Sequence, residues 1–152
     1  MTFRSVSEIQ RGPIGTSVAP AADSPPQRPA FQAYRVLRVG FTVAPILAGL
    51  DKFFQLLVDW DQYLAPSLNH ILGGHGHAFM LTAGVIEVAA GIGVAWRPRV
   101  FSYVVAAWLA GIVLNLLLIP GYYDVALRDL GLALGALALG RLSAEFDQGA
   151  RG

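Results

Sequence analysis

The chain contains no cysteine among its 152 residues. That excludes disulfides, thiol catalysis, thiol–disulfide exchange, iron–sulfur ligation by this chain and Cys-based zinc sites. Charge is scarce as well. Charged residues make up 14% of the chain, against about 25% in average soluble domains. A soluble core of this size would be covered by a charged surface, so the deficit predicts lipid as the main solvent. The net charge is only +1, and no Lys/Arg cluster forms the basic patch of a nucleic-acid binder. No phosphate-binding loop, serine-nucleophile elbow or dinucleotide fingerprint is present. Residues 1–30 lack the continuous apolar run of a signal peptide. They carry Pro13, Pro20, Pro25, Pro26 and Pro29 with scattered Ser and Arg. This is the composition of a disordered tail, with a partner-binding arm as the minority reading.

What remains is strongly apolar. Hydrophobic residues are 55% of the chain, and mean hydropathy is +0.53. Four apolar segments follow the tail, at about 34–58, 78–96, 100–119 and 122–142. A span needs about 20 residues at a rise of 1.5 Å each. The first three fit; the fourth is short and rich in Ala, Gly and Leu. The pattern predicts an all-α membrane four-helix bundle with a short C-terminal tail at 143–152. Pro45 should kink the first helix, which membrane helices tolerate. The linker at 58–77 should hold a short interfacial helix near 63–72 and then a Gly-rich turn. WRPR at 96–99 is a tight turn, with Pro98 ending one helix and starting the next. PGYYD at 120–124 is another turn, with two interfacial tyrosines.

The basic residues predict an orientation. Arg4, Arg11, Arg28, Arg35, Arg38, Arg97, Arg99, Arg141 and Arg151 all fall on one side of a four-span chain. Lys52, Arg128 and the acids Asp59, Asp61 and Asp124 fall on the other. The positive-inside rule then places both termini in the cytoplasm.

Two charges interrupt the apolar runs: Lys52 in VGFTVAPILAGLDKFFQLLV and Glu87 in AFMLTAGVIEVAAGIGVAW. A charge in hydrocarbon costs from roughly 3 kcal/mol on insertion scales to above 10 in simulations. Helical rise puts Lys52 roughly 25 Å past Arg35, near the outer face, and Glu87 near mid-membrane. Asn115 falls toward the outer half, and Arg128 and Asp129 open the fourth span from outside. Small residues share stripes with these groups: Pro45, Ala48, Gly49 and Lys52; Ala83, Glu87 and Gly91; Ala107, Gly111 and Asn115; Arg128, Gly131 or Leu132, Gly135 and Leu139. Gly131-x-x-x-Gly135 reads as a helix-packing site. The expectation is one polar cluster of Lys52, Glu87, Asn115, Arg128 and Asp129 in the outer half. Plainer readings stand beside it. Lys52 could snorkel to headgroups, Arg128 and Asp129 could be interfacial anchors, and Asn115 could be helix glue. Glu87 is too deep to snorkel; it is protonated or it pairs with Lys52 or Arg128. His75 and His77, with His70 as a third ligand, are weak metal candidates. All three histidines lie in one loop, which argues against haem ligation between spans.

The segment from Arg35 to Leu142 resembles the DoxX family of small four-span bacterial membrane proteins. AGLDKFF at 48–54, VIEVAAGIGVAW at 85–96, the WRPR turn and ALRDLGLALGALAL at 126–139 carry the resemblance. It implies a multi-pass protein of the bacterial cytoplasmic (inner) membrane, near redox or quinone chemistry. The first reading is an accessory subunit of a membrane redox assembly, with a quinone in contact with the polar cluster. A stand-alone quinone-linked oxidoreductase is an alternative, with an anion at Lys52 and Arg128. A small proton-linked transporter built on Glu87, as a homo-oligomer, is another.

Overall fold

The computed structural model describes residues 29–146. The predicted tail at 1–30 therefore lies outside the described residues, except for Pro29 and Ala30, which begin the first helix. All regular structure among the described residues is helical. The helices are α1 (Pro29–Phe54), a 3-10 turn (Trp60–Tyr63), α2 (Pro66–Ile71), α3 (Gly76–Trp96), α4 (Pro98–Leu117) and α5 (Tyr123–Phe146). Three of them, α1, α3 and α4, are long and apolar enough to cross a membrane. Helix α5 is not among these three, and Asp124, Arg128, Asp129, Arg141 and Glu145 are the reason.

Helix ends differ from the apolar pattern where side chains cap them. The first apolar run continues to Val58, yet α1 stops at Phe54. Gln55 turns into the left-handed region at φ 51°. Asp51 then takes the backbone N–H groups of Leu56 and Leu57, at 3.0 and 3.1 Å to Oδ1. Leu56 and Leu57 thus leave the helix although they are as apolar as its interior. Helix α3 is capped from a distance: Asn69 Oδ1 in α2 accepts from Gly76 N–H at 3.0 Å. Arg97 separates α3 from α4, and Pro98 opens α4. Pro is favoured there because its missing N–H has no helical partner to lose. Helix α5 runs on to Phe146, so the first residues of the expected C-terminal tail are helical.

The long helices pack in the pairs α1–α3, α3–α4, α4–α5 and α1–α5. One end carries the 55–75 segment and the α4–α5 turn; we term it the loop end. The other carries the α3–α4 turn, the start of α1 and the end of α5. There Phe31, Tyr34 and Phe146 stack with centroids 5.4–6.2 Å apart. Arg38 ties α1 to the last turn of α3 by donating to Ala95 O at 2.5 Å. The middle is filled by Phe41, Ala90, Val94, Val105, Ala106, Ala136 and Leu139. Outward faces carry exposed Val36, Val39, Leu47, Ile92, Leu114 and Leu134. Apolar side chains facing outward on helices of this length suit a lipid surround.

Helices α1 and α3 approach closely at Gly49 and Gly84. A Cβ on Gly49 would lie 2.5 Å from Gly84 O, and one on Gly84 would lie 2.7 Å from Gly49 O. Only glycine permits this approach. The expected Gly131-x-x-x-Gly135 site is corrected. A Cβ on Gly131 would meet nothing within 4 Å, and Gly135 meets only Phe41. The buried face of α5 is instead Ala126, Asp129, Ala133, Ala136 and Gly140. The α4 stripe is corrected too: Ala107 and Gly111 are exposed, and Ser102, Val105, Ala106 and Leu116 are buried. We expect Gly84→Ala to destabilise the protein by about 2 kcal/mol through overpacking. Gly131→Ala should be neutral or stabilising by up to about 1 kcal/mol, from helix propensity. Unfolding titrations in mixed micelles measure both; equal effects at the two sites would contradict the packing.

Candidate functional site

The α1–α3 contact sets the level of the site. Gly84 lies beside Lys52, whose Cβ is 3.2 Å from where a Gly84 Cβ would stand. Glu87 lies farther along α3 from the loop end, by roughly 4.5 Å of helical rise. The Lys52 stem therefore reaches inward, and its Nζ meets Glu87 Oε2 at 2.6 Å. Both side chains are buried, at 5% and 9% exposure. Of the open readings, the ion pair with Lys52 holds, and snorkelling of Lys52 toward the loop end does not.

Two indoles complete the pair. The Trp60 ring centroid is 3.8 Å from Lys52 Nζ, within cation–π range. Trp108 Nε1 on α4 donates to Glu87 Oε1 at 3.3 Å. Trp60 is itself held by Asp51 Oδ2, which accepts from its Nε1 at 2.8 Å. One carboxylate thus ends α1, turns the chain and sets an aromatic face over the neighbouring lysine. The sequence reading missed Asp51, Trp60 and Trp108. The signal available was the adjacency of an acid to Lys52 within an apolar run.

Asn115 touches neither charge. Its Oδ1 accepts from Ala65 N–H at 2.9 Å, and its Nδ2 donates to Tyr63 O at 2.5 Å. It clamps the segment between the 3-10 turn and α2 onto α4, so the expected helix–helix glue is helix–loop glue. Asp129 is buried on α5. Its partner is Arg128 on the same helix, with Nε 3.3 Å from Oδ1. The Arg128 side chain is 68% exposed. Among the described residues only its Nε is engaged, leaving both Nη groups as donors.

Lys52, Glu87, Asn115, Arg128 and Asp129 all line one cavity of about 390 Å³ at the loop end. Trp60, Tyr63 and Leu64 from the linker, Met80 and Ala83 from α3, and Trp108 and Ile112 from α4 are among its other lining residues. The wall holds two cations and two carboxylates, so its formal charge balances. It joins an apolar lining to a few convergent polar groups, the usual composition of a small-molecule site.

The histidines lie apart from it. His77 Nδ1 is 2.8 Å from Asp61 Oδ2, an acid the fold brings up although none is adjacent in sequence. His75 Nδ1 is 3.1 Å from Leu72 O. Among the described residues no group of three His, Asp or Glu side chains is placed to hold a metal ion. No family model, curated protein or solved structure matches the chain.

Proposed function

We propose that this is a multi-pass protein of the bacterial cytoplasmic membrane whose loop-end cavity holds a small neutral aromatic amphiphile of the quinone type. In this reading it serves as an accessory subunit of a membrane redox assembly, as the DoxX resemblance implies. Helix α5 completes a four-span bundle, and both termini are cytoplasmic. Arg35, Arg38, Arg97, Arg99 and Arg141 at the end opposite the loop support that orientation. With α5 as a span, Arg128 and Asp129 face the cavity rather than lipid.

The observation that carries the reading is the Lys52–Glu87 pair set between Trp60 and Trp108 on the cavity wall. A charged ligand would upset a wall whose charges already balance. An anion would also have to take Lys52 Nζ from Glu87 at 2.6 Å. A flat neutral ring with carbonyl acceptors meets neither obstacle. It can lie against the indoles and accept from the Arg128 Nη groups.

Purification of the full chain in a mild detergent, followed by native mass spectrometry and organic extraction, tests this. The expected result is a co-purifying quinone or membrane redox partner. Trp108→Ala should lower the retained quinone about tenfold, as stacking and the contact with Glu87 are lost. A single homogeneous species without quinone or partner, under several growth conditions, would overturn the proposal.

A further inference from the structure

We infer that the groove between the start of α4 and the end of α5 binds an anionic phospholipid by its phosphate. The inference rests on the membrane reading above but is independent of the cavity at the loop end. The groove has a volume of about 650 Å³ and is bordered by Arg99 and Tyr103 on α4 and Arg141 on α5. Among the described residues, neither Arg99 nor Arg141 makes an ion pair or hydrogen bond through its side chain. Two other arginines at this end, Arg38 and Arg97, are engaged. Arg38 donates to Ala95 O and to the Tyr34 hydroxyl, and Arg97 lies 5.1 Å from the Trp96 ring. Two free guanidiniums on neighbouring helices form a site for a shared phosphate, which accepts paired N–H donors readily.

The rest of the groove is apolar. Val100, Val104 and Ala107 follow one another at helical spacing and are exposed. They form a strip roughly 10 Å long, running from the arginines toward the bundle middle. A free phosphate would leave that strip uncovered, whereas an acyl chain below a phosphate headgroup covers it. The Tyr103 ring packs on Gly140, where a Cβ would come within 2.8 Å of it. Its hydroxyl is then a further donor at headgroup level, the usual depth for tyrosine. Basic pockets between spanning helices on the cytoplasmic side are a recurrent way to hold anionic headgroups.

The test uses the full chain in a nonionic detergent, titrated with dioctanoyl phosphatidylglycerol, dioctanoyl phosphatidylcholine or glycerol phosphate and read by native mass spectrometry. Phosphatidylglycerol should bind saturably, phosphatidylcholine at least about tenfold more weakly, and glycerol phosphate more weakly still. Arg99→Gln with Arg141→Gln should weaken phosphatidylglycerol about thirtyfold, or roughly fivefold per arginine. Val104→Trp should weaken phosphatidylglycerol and leave glycerol phosphate unchanged. Equal affinity for the two lipids, or an unaffected double variant, would overturn the site. Glycerol phosphate binding as tightly as phosphatidylglycerol would make it a phosphate site and overturn the lipid assignment. Recovery of the chain in the soluble fraction without detergent would instead overturn the membrane reading itself.

Discussion

Replacing Lys52 by methionine destabilises the protein by about 3–5 kcal/mol, and adding Glu87→Leu restores most of that loss. The expectation follows from burial. Lys52 Nζ and Glu87 Oε2 are 2.6 Å apart, with side chains 5% and 9% exposed. Removing one partner leaves the other charge without a counter-ion and away from water. Removing both leaves an apolar contact between α1 and α3, which is close to neutral in many buried pairs. Glu87→Leu alone should resemble Lys52→Met, with Lys52 keeping only its contact with Trp60 at 3.8 Å. The double-mutant cycle should give a coupling larger than the loss in either single variant. Unfolding titrations in mixed micelles measure it, and little dependence on salt is expected for a buried pair. Single variants costing under about 1 kcal/mol, with additive effects, would contradict the burial. The double variant also separates two roles. If the pair only holds helices in register, K52M/E87L keeps its quinone. If the pair shapes the cavity chemically, the double variant folds and the quinone is lost.

The two charges were legible in the sequence because hydrocarbon makes a charge conspicuous. Their pairing was one of several options, since helical rise alone put Lys52 near the surface and Glu87 deeper. What brings them together is the length of the lysine stem and the close approach at Gly49 and Gly84. Stripes of small residues were a weaker guide. Spacing says that Gly131 and Gly135 lie near one face, but not whether that face meets another helix. Here the buried face of α5 lies about Asp129, Ala133 and Ala136. Asp51 was hidden by its neighbour, because one lysine in an apolar run draws the eye from the acid beside it. Leu56 and Leu57 were misassigned to the first helix for a related reason. Apolar continuity carries no mark of a carboxylate capping the chain from a few residues back. Trp60 and Trp108 were illegible as site residues, since an indole in an interfacial linker or an apolar span is ordinary. Only the fold shows that both reach the same ion pair. The Asp61–His77 contact likewise depends on how the linker closes.

Asn115→Leu should destabilise the protein by about 2–5 kcal/mol and loosen the linker before the rest of the bundle. Ala65 is fully buried, so its N–H cannot turn to water when Asn115 Oδ1 is removed. The Tyr63 carbonyl loses its donor at the same time. A buried backbone group left unpaired costs about 1–3 kcal/mol, and the lost bond to half-buried Tyr63 adds to it. Leucine keeps the volume, so the effect reads hydrogen bonding rather than a cavity. Asn115→Asp should not rescue the clamp. It retains an acceptor for Ala65 but sets a second acceptor against the Tyr63 carbonyl. The loss should be local first, because the 60–72 segment is short and Asn115 holds it on α4 by side-chain bonds. Hydrogen exchange should therefore rise across 60–72 while the centre of α3 and α4 stays protected. Trp60, Tyr63 and Leu64 belong to that segment and line the cavity. Opening it would bring water to the Lys52–Glu87 pair and release whatever the cavity holds. Unchanged exchange over 60–72, with stability within about 0.5 kcal/mol of the parent, would mean that the segment is held by its apolar contacts and not by Asn115.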